Sequence, residues 1–599
     1  MQIGLAETRP AVKIEEAKVS DDGDSSANRP RRSQRWYDSQ DMRGFAHRQR
    51  TQQMGIRREE FLGRPVIGII NTWSEMSPCH IHLRDRAQAV KRGVLLAGGY
   101  PVELPAMSVG EVMVKPTTML YRNFLAMETE ELLRSHPIDG AVLLGGCDKS
   151  TPGLLMGAIS MDLPVIYCPA GPMSNGQWRG TKTGAGTHTK KYWDELRAGN
   201  ITADDWIDLE SRMTRSIGTC NTMGTASTMT SIVDAMGLTF TGASSIPAAD
   251  SGHVRMASAC GERIVAMVAE DLKPSSFLTR ASFLNGVVAY MALGGSTNAA
   301  IHLIAMAGRA GVSLTLDDLA EAAARIPVCA NLFPSGEYLM EDFFFAGGLR
   351  AQLAKLSDEL DLTARTVEGR TLGEALAGAE CFDDDVIRDA AHPVVPLSRG
   401  VTLALLRGNL CPDGAIIKTS AAEPRLLSHT GPALVFDSHA ELSARIDSPD
   451  LDITENTVLI LRNAGPVGAP GMPEWGNLPI PKKLLAKGVR DMVRISDARM
   501  SGTHYGACIV HAAPEAAIGG PLALVKTGDL IRLNVAAGTL DMLVDEAELA
   551  VRRAAWRAPE TPYQRSYAAL YQAHVGQAPQ GCDFDFLAGR APVPEPPIF

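Results

Sequence analysis

The chain has 599 residues, of which 45% are hydrophobic and 21% charged, and its formal net charge at pH 7 is -10. A chain of this length exceeds a single hydrophobic core, so we expect two to four domains in a soluble globular protein. The acidic balance, with no Lys/Arg-rich block to offset it, argues against a nucleic-acid partner. No apolar run is long enough to span a bilayer, which argues against a membrane protein.

The N-terminus and the cysteines predict a cytoplasmic location. The first residues include several acidic side chains and no apolar segment of the kind found in signal peptides, so neither a signal nor a transit peptide is expected. The ten cysteines are scattered along the chain rather than arranged as a disulfide framework. We therefore expect reduced thiols.

The first two segments of the chain differ sharply in pattern. Residues 1–31 are polar, charged and aperiodic, which predicts a mobile tail. Residues 32–395 alternate buried strands with amphipathic helices, which predicts an α/β domain whose parallel sheet is covered by helices on both faces. The predicted strands are residues 65–70, 101–105, 139–144 and 163–167, and the helices include residues 83–97, 118–135 and a segment from 152.

Less regular sequence follows within the same domain. Residues 171–191 are rich in glycine and predict a loop, which could be a plain surface loop or could wrap an anionic ligand. Helical sequence then dominates from 203 to about 355, including segments 221–237 and 284–308. Within the last segment, GGSTN (residues 294–298) is small and polar, which indicates close packing or a ligand contact.

The character of the chain changes again near residues 389–399. Short strand-like runs between turns then predict a mostly β, barrel-like C-terminal domain over residues 396–599, with attached helices such as residues 546–556. The predicted strands are residues 401–406, 414–418, 433–436, 456–461, 492–495, 530–535 and 539–544.

The motif GGCDKSTPG (residues 145–153) is the clearest chemical signal, and it directly follows a predicted buried strand. It places a soft ligand, Cys147, beside a hard anionic ligand, Asp148, and a lysine, Lys149. Thiolates favour iron-sulfur clusters or zinc, whereas carboxylates favour magnesium, calcium or manganese. Taken alone, the motif is better explained by a buried free cysteine beside a surface Asp-Lys pair.

Three further stretches strengthen the prediction of a metal site. NTWSEMSPCH (residues 71–80) follows the first strand, Glu111 follows the second, and GTCNTMG (residues 218–224) opens a predicted helix. Open parallel sheets bind ligands at the carboxyl ends of their strands, and a helix N-terminus favours thiolate over thiol. Cys79, Cys147 and Cys220 are therefore candidate ligands, and the other seven cysteines are explained as packing residues.

These motifs resemble those of the iron-sulfur dehydratases, a family that comprises dihydroxy-acid, 6-phosphogluconate and aldonic (sugar) acid dehydratases. The resemblance covers roughly residues 32–590. It continues through GGSTN (294–298), GPVGAPGMPE (465–474), DARMSGT (497–503) and PEAA (514–517).

The resemblance implies a set of cofactor ligands. Cys79, Cys147 and Cys220 match the cluster ligands, and three thiolates leave one iron open as a Lewis acid. Three cysteines suit a [2Fe-2S] or a [4Fe-4S] cluster, of which we favour the first.

The resemblance also implies a magnesium site and two catalytic residues. Glu111, Asp148 and Glu474 match the family's Mg²⁺ ligands. Lys149 matches a lysine that is carbamylated in the family and so supplies an anionic oxygen to the metal. Ser501 matches the proposed base, and it needs nearby cations to favour its alkoxide.

The implied reaction is dehydration of a 2,3-dihydroxy acid to a 2-keto-3-deoxy acid. Magnesium would hold the carboxylate and the C2 hydroxyl, the open iron would bind the C3 hydroxyl, and Ser501 would remove the C2 proton. DARMSGTHYG (residues 497–506), Trp73 and the loop 175–180 resemble the pentonate dehydratases, with L-arabinonate the nearest named substrate. A branched-chain dihydroxy-acid dehydratase is the alternative, as is an enzyme that acts on both substrates.

Two other protein classes are weaker explanations. An electron-transfer cluster would call for a fourth cysteine in a comparable motif, and structural zinc ligands usually come in close pairs. His80, His82 and His188 lie near the predicted site and are better explained as structural histidines. By resemblance, we also expect a homodimer or a dimer of dimers that acts on a small-molecule aldonic or dihydroxy acid.

Overall fold

The computed structural model describes residues 30–397, 401–589 and 593–598. The predicted mobile tail, residues 1–31, lies outside the described residues except for its last two. The described residues from Arg31 onward form one compact unit. Among the described residues, no helix is both long enough and apolar enough to cross a membrane.

The described helices are mostly short and are distributed along the whole unit. They are α1 (Gln34–Tyr37), α2 (Met42–Gln53), α3 (Arg58–Phe61), α4 (Leu83–Leu96), α5 (Thr118–Ser135), α6 (Ser150–Met161), α7 (Thr187–Ala198), α8 (Ala203–Met213), α9 (Thr225–Ala235), α10 (Ser251–Ala269), α11 (Pro274–Phe277), α12 (Arg280–Ala292), α13 (Asn298–Arg309), α14 (Leu316–Arg325), α15 (Met340–Phe345), α16 (Gly348–Ala354), α17 (Leu372–Leu376), α18 (His439–Arg445), α19 (Lys482–Leu485), α20 (Glu546–Ala555) and α21 (Ser566–His574).

The described strands form two large sheets and one hairpin. They are β1 (Val66–Asn71), β2 (Tyr100–Pro105), β3 (Gly140–Gly145), β4 (Val165–Pro169), β5 (Gly176–Trp178), β6 (Thr181–Thr183), β7 (Ala404–Leu406), β8 (Gly414–Ile417), β9 (Ser428–Phe436), β10 (Val458–Leu461), β11 (Arg494–Ser496), β12 (Cys508–Ala513), β13 (Leu530–Asn534) and β14 (Thr539–Met542).

The N-terminal sheet is parallel throughout, in the order β2-β1-β3-β4. Every residue of β1, β3 and β4 is buried, which is why their sequences are continuous apolar runs rather than alternating ones. All four strands were predicted to within about two residues, the usual error of such boundaries.

Helices cover both faces of this sheet, as two glycines of β3 show. Gly140 and Gly145 are five residues apart in one strand, so they face opposite sides. A Cβ on Gly140 would contact Ile264 and Val268 of α10, and a Cβ on Gly145 would contact Leu154 of α6. The predicted α/β fold with helices on both faces is confirmed.

Two segments between the sheets differ from their predictions. The predicted loop 171–191 contains the hairpin β5–β6 and the first turns of α7. Its two turn residues, Arg179 and Gly180, both have positive φ, as tight hairpin turns require. The predicted helix 284–308 is two helices, α12 and α13, because Gly294 has a φ of 58° that an α-helix cannot contain.

The C-terminal sheet has eight strands in the order β14-β13-β9-β10-β11-β12-β8-β7. Beyond the end of β7, Arg407 pairs with Thr539 of β14, which brings the two edges of the sheet together. The barrel-like prediction is therefore confirmed, although β12 was not predicted as a strand. The two sheets lie on either side of the predicted boundary at 395/396, and the boundary itself stays a prediction.

The barrel wall also packs against the helical part of the chain. Ala415 and Ile417 in β8 belong to the barrel core, whereas Ile416 between them packs into the core of the α/β part. Side chains alternate across a strand, so the outer face of β8 is buried against the helices. Loops of the barrel can therefore meet loops of the parallel sheet.

Candidate active site

Loops from both sheets carry the predicted site residues. Cys79 lies between β1 and α4, Glu111 between β2 and α5, and residues 147–149 between β3 and α6. These three loops all follow the carboxyl ends of parallel strands, where such sheets bind ligands.

The remaining site residues approach from elsewhere in the chain. Cys220 precedes α9, Glu474 lies between β10 and α19, and Ser501 lies between β11 and β12. The last two loops belong to the barrel.

The three predicted cysteines come together in a mostly buried cluster. The Cys79 thiol hydrogen-bonds with Cys147, and this bond, together with burial and the nearby charges of Cys147 and Cys220, raises the pKa of Cys79 well above its usual value. Burial, then Asp148 and Cys147, likewise raises the pKa of Cys220. The backbone N–H of Glu111 donates to the Cys147 sulfur at 3.4 Å.

Lys149 gathers the three predicted carboxylates around one point. Its Nζ lies 2.9 Å from Glu111, 3.2 Å from Glu474 and 3.3 Å from Asp148, and its side chain is fully buried. Burial and Arg499 lower the pKa of Lys149, but the three carboxylates outweigh them and raise it. The Lys149 side chain is therefore a charged ammonium group surrounded by three carboxylates.

The three acids respond differently to this environment. Burial raises the pKa of Asp148 to about 6, against the attraction of Lys149. Burial also acts to raise the pKa of Glu474, but Lys149 and then Arg499 lower it to about 2. Glu474 is thus ionised at any pH at which the protein would be assayed.

Three donors fix the orientation of Glu474. Its Oε1 accepts hydrogen bonds from Asn298 Nδ2 at 2.7 Å, Arg499 Nη1 at 3.0 Å and Lys149 Nζ at 3.2 Å. These three hydrogen bonds occupy the acceptor sites of Oε1 and hold the carboxylate in one orientation.

Further polar residues connect the Glu474 carboxylate to Glu111 through a chain of contacts. Arg499 is fully buried; its Nε donates to the Met472 carbonyl at 2.8 Å and its Nη2 to the Thr117 hydroxyl at 3.1 Å. The hydroxyl of Thr118, the next residue, donates to Glu111. No role was predicted for these residues from the sequence, although Arg499 stands two positions before Ser501 in the DARMSGT motif (residues 497–503).

Ser501 lies in a turn of the barrel that packs closely against the helices of the α/β part. Its Oγ is 2.9 Å from the Thr503 hydroxyl, and its side chain is partly exposed. A Cβ on Gly502 would stand 2.3 Å from both side-chain atoms of Ser296, and one on Gly224 2.6 Å from Thr503. Only glycine allows these approaches, which place Ser501 near the N-terminus of α9.

The three histidines near the site are held by backbone or hydroxyl groups. His80 Nε2 accepts the Cys147 N–H at 3.2 Å and its Nδ1 bonds the Ser108 hydroxyl at 3.0 Å, while burial lowers the pKa of His80 to about 3. His82 bonds the Ala170 carbonyl, and His188 Nδ1 accepts the Gly184 N–H. These contacts are those of neutral structural histidines, and that of His80 shapes the Cys147 loop.

The donor set matches the implied cofactors in chemical type. Among the described residues, no three His, Cys, Asp or Glu side chains have the spacing of a preformed metal site. The carboxylates surround the Lys149 ammonium instead. Three converging thiols nevertheless suit an iron-sulfur cluster, and three carboxylates suit Mg²⁺ once the lysine no longer carries a positive charge.

Comparison with known proteins identifies relatives over nearly the whole chain. The chain is 71% identical over 567 residues to a 6-deoxy-6-sulfo-D-gluconate dehydratase of Pseudomonas putida, covering 95% of this chain and 98% of the relative. It is 48% identical to an L-arabinonate dehydratase of Rhizobium leguminosarum bv. trifolii (strain WSM2304), over 93% of this chain and 96% of the relative. A dihydroxy-acid dehydratase of Caldanaerobacter subterraneus subsp. tengcongensis is 38% identical, over 90% of this chain and 97% of the relative.

Two family models match consecutive parts of the chain. The dihydroxy-acid/6-phosphogluconate dehydratase N-terminal model matches residues 64–375 and the corresponding C-terminal model matches residues 385–582. With the relatives above, these matches confirm the resemblance drawn from the motifs. The chain belongs to the dihydroxy-acid/6-phosphogluconate dehydratase family and is a hydro-lyase.

Proposed function

We propose that this dehydratase removes water from C2 and C3 of 6-deoxy-6-sulfo-D-gluconate and releases the 2-keto-3-deoxy acid. The observation that supports the reaction is that the Cys147 thiol contacts Glu111, one of three carboxylates around Lys149, while the turn that carries Ser501 packs against the start of α9, which Cys220 precedes. The 71% identity to the P. putida enzyme favours the sulfonated substrate. L-arabinonate, the substrate predicted from the motifs, is the second candidate, favoured by the 48% identical relative.

The residues that would hold the cofactors follow from their chemistry. Cys79, Cys147 and Cys220 would hold an iron-sulfur cluster, which we propose to be [2Fe-2S]; Glu111, Asp148 and Glu474 would hold Mg²⁺. When bound, these groups supply Lewis acids for the departing C3 hydroxyl and for the carboxylate end of the substrate.

Lys149 must change its charge for this site to bind a divalent cation. As an ammonium it neutralises one of the three surrounding carboxylates and repels a metal ion. As a carbamate it would supply a further anionic oxygen, and the four anions would then need a cation to hold them together. We therefore propose that Lys149 is carbamylated in the active enzyme.

Ser501 is the proposed base. Its hydroxyl is held by Thr503, and its turn rests beside the first residues of α9, whose N-terminal dipole favours negative charge. As an alkoxide, Ser501 would take the C2 proton, and the electrons of the C2–H bond would form the C2–C3 double bond while the C3 hydroxyl departs as hydroxide. The hydroxide would take the proton back from Ser501 and leave as water, which restores the alkoxide. The enol product then tautomerises to the 2-keto acid.

A substrate panel tests this proposal. We expect the anaerobically purified holoenzyme to form 2-keto acid from 6-deoxy-6-sulfo-D-gluconate with a kcat/KM at least about tenfold above that for L-arabinonate or D-gluconate, since one well-placed ionic contact is worth this much. The expected order places 2,3-dihydroxyisovalerate last. Turnover of that acid alone, or of none of the sugar acids, would contradict the proposal.

Metal removal and a change of Lys149 test the second metal site. We expect EDTA to abolish activity without bleaching the cluster, and Mg²⁺ to restore activity, because carboxylates and thiolates hold different metals. Lys149→Ala should be inactive with its cluster absorbance intact. Lys91→Ala, which removes an ion pair with Glu103 outside the site, is the control and should keep its activity. Full activity in chelated, Mg²⁺-free enzyme would contradict this assignment.

A further inference from the structure

Asn298 connects the carboxylate side of the site with the turn that carries Ser501. It is the first residue of α13, it is fully buried, and its side-chain Nδ2 lies 2.7 Å from Glu474 Oε1 and 3.1 Å from the Thr225 hydroxyl. Thr225 is the first residue of α9, and its hydroxyl bonds that of Ser296 at 2.8 Å. One amide therefore links the starts of two helices to Glu474.

The same cluster supports the Ser501 turn. A Cβ on Gly502 would stand 2.3 Å from Ser296 Oγ and 2.9 Å from the Thr225 backbone nitrogen. Gly502, the residue after Ser501, thus packs against the Ser296 and Thr225 pair that Asn298 contacts. Asn298 therefore contacts the predicted metal carboxylate directly, and it contacts Ser296 and Thr225, against which the Ser501 turn packs.

The other end of the amide lacks a partner. Asn298 Oδ1 is buried, and no hydrogen-bond donor reaches it from any described residue. The orientation of the amide follows from the contacts, because Glu474 Oε1 accepts hydrogen bonds from Arg499 and Lys149 and is therefore an acceptor that must face the NH₂ group of Asn298. Buried carbonyl oxygens are nearly always paired in native proteins, so a donor is expected to arrive with a ligand.

We propose that Asn298 is both a positioning residue for Glu474 and a contact for the substrate, its Oδ1 accepting a hydrogen bond from the C2 or C3 hydroxyl of the sugar acid. The substrate contact rests on the proposed function. A sugar acid carries hydroxyl donors on both reacting carbons, whereas the 2-keto-3-deoxy product carries neither. An acceptor at this place therefore favours substrate over product.

The positioning role is tested without substrate. In cluster-loaded enzyme, Asn298→Ala should weaken Mg²⁺ binding by about 10- to 100-fold in titration calorimetry, as loss of an outer-shell hydrogen bond to a metal ligand does. Its visible absorbance should match the wild type.

Asn285→Ala is the matched control for this experiment. It removes an equally buried asparagine whose amide bonds the Asp361 backbone, away from the site, and it should keep Mg²⁺ affinity. Wild-type Mg²⁺ affinity in Asn298→Ala would overturn the positioning role.

The substrate contact is tested with two unreactive ligands, the 2-deoxy and 3-deoxy analogues of the sugar acid, against the product as reference. In the wild-type holoenzyme at saturating Mg²⁺, the analogue that lacks the contacted hydroxyl should bind about tenfold more weakly than the analogue that keeps it. In Asn298→Ala, the two analogues should bind with the same affinity. Equal discrimination by both enzymes would overturn the contact. If the wild type dehydrates no sugar acid, the proposed function fails, while the Mg²⁺ titration still decides the positioning role.

Discussion

Cys147→Ser is expected to lose the visible absorbance of an iron-sulfur cluster and the dehydratase activity together. Cys147 lies at the carboxyl end of β3, its thiol bonds that of Cys79, and its backbone N–H is held by His80. A serine hydroxyl at this position keeps the shape of the loop but is a poor ligand for iron in a cluster. Cys79→Ser and Cys220→Ser should behave in the same way, because each removes one of three thiolates.

Cys329→Ser is the matched control. Cys329 is also fully buried, yet its sulfur lies 3.5 Å from the Pro327 carbonyl and it belongs to none of the family motifs. This variant should retain its iron, its absorbance and its turnover, with at most a loss of stability from burying a hydroxyl. The measurement is iron content, absorbance and kcat on anaerobically purified protein. Stoichiometric iron and normal turnover in Cys147→Ser would show that the ligand assignment is wrong.

The parts of the fold that the sequence predicted well are those with a strong local pattern. The helix Thr118–Ser135 has the predicted bounds, because Thr117 caps its N-terminus and an amphipathic pattern runs to its end. The hairpin at Arg179 was not predicted, since only tertiary context makes a non-glycine residue adopt positive φ there. The strand Cys508–Ala513 was missed because its second half is poor in β-branched and aromatic residues, and an irregularity there gives His511 a positive φ.

The predicted site residues came from motifs, and the structure adds the residues that hold them. Arg499 and Thr117 are 382 positions apart, and Asn298 and Glu474 are 176 apart, so no spacing rule applies to either pair. Asn298 was noted in a small polar segment, without a partner or a role. Cluster type and assembly as a homodimer or a dimer of dimers stay predictions, since three thiols suit either cluster and the structure describes one chain.

Ser501→Ala is expected to lower kcat by at least about a hundredfold, the lower end of what general-base catalysis contributes. The change removes one hydroxyl from a partly exposed turn, and the backbone approach at Gly502 against Ser296 is untouched. Folding, the cluster and Mg²⁺ binding should therefore survive. KM should change far less than kcat, because the hydroxyl acts mainly in the transition state.

Exchange of the C2 proton with deuterated solvent separates this role from a structural one. A serine that only supports the turn would leave the exchange measurable, whereas loss of the base removes exchange and turnover together. Ser420→Ala, which breaks a hydrogen bond to Ser335, is the matched control and should keep both. Near-normal turnover of Ser501→Ala with an intact cluster would exclude Ser501 as the base. His504 would then be the next candidate, because it lies three residues after Ser501 and its backbone N–H donates to the Ser501 carbonyl at 3.1 Å.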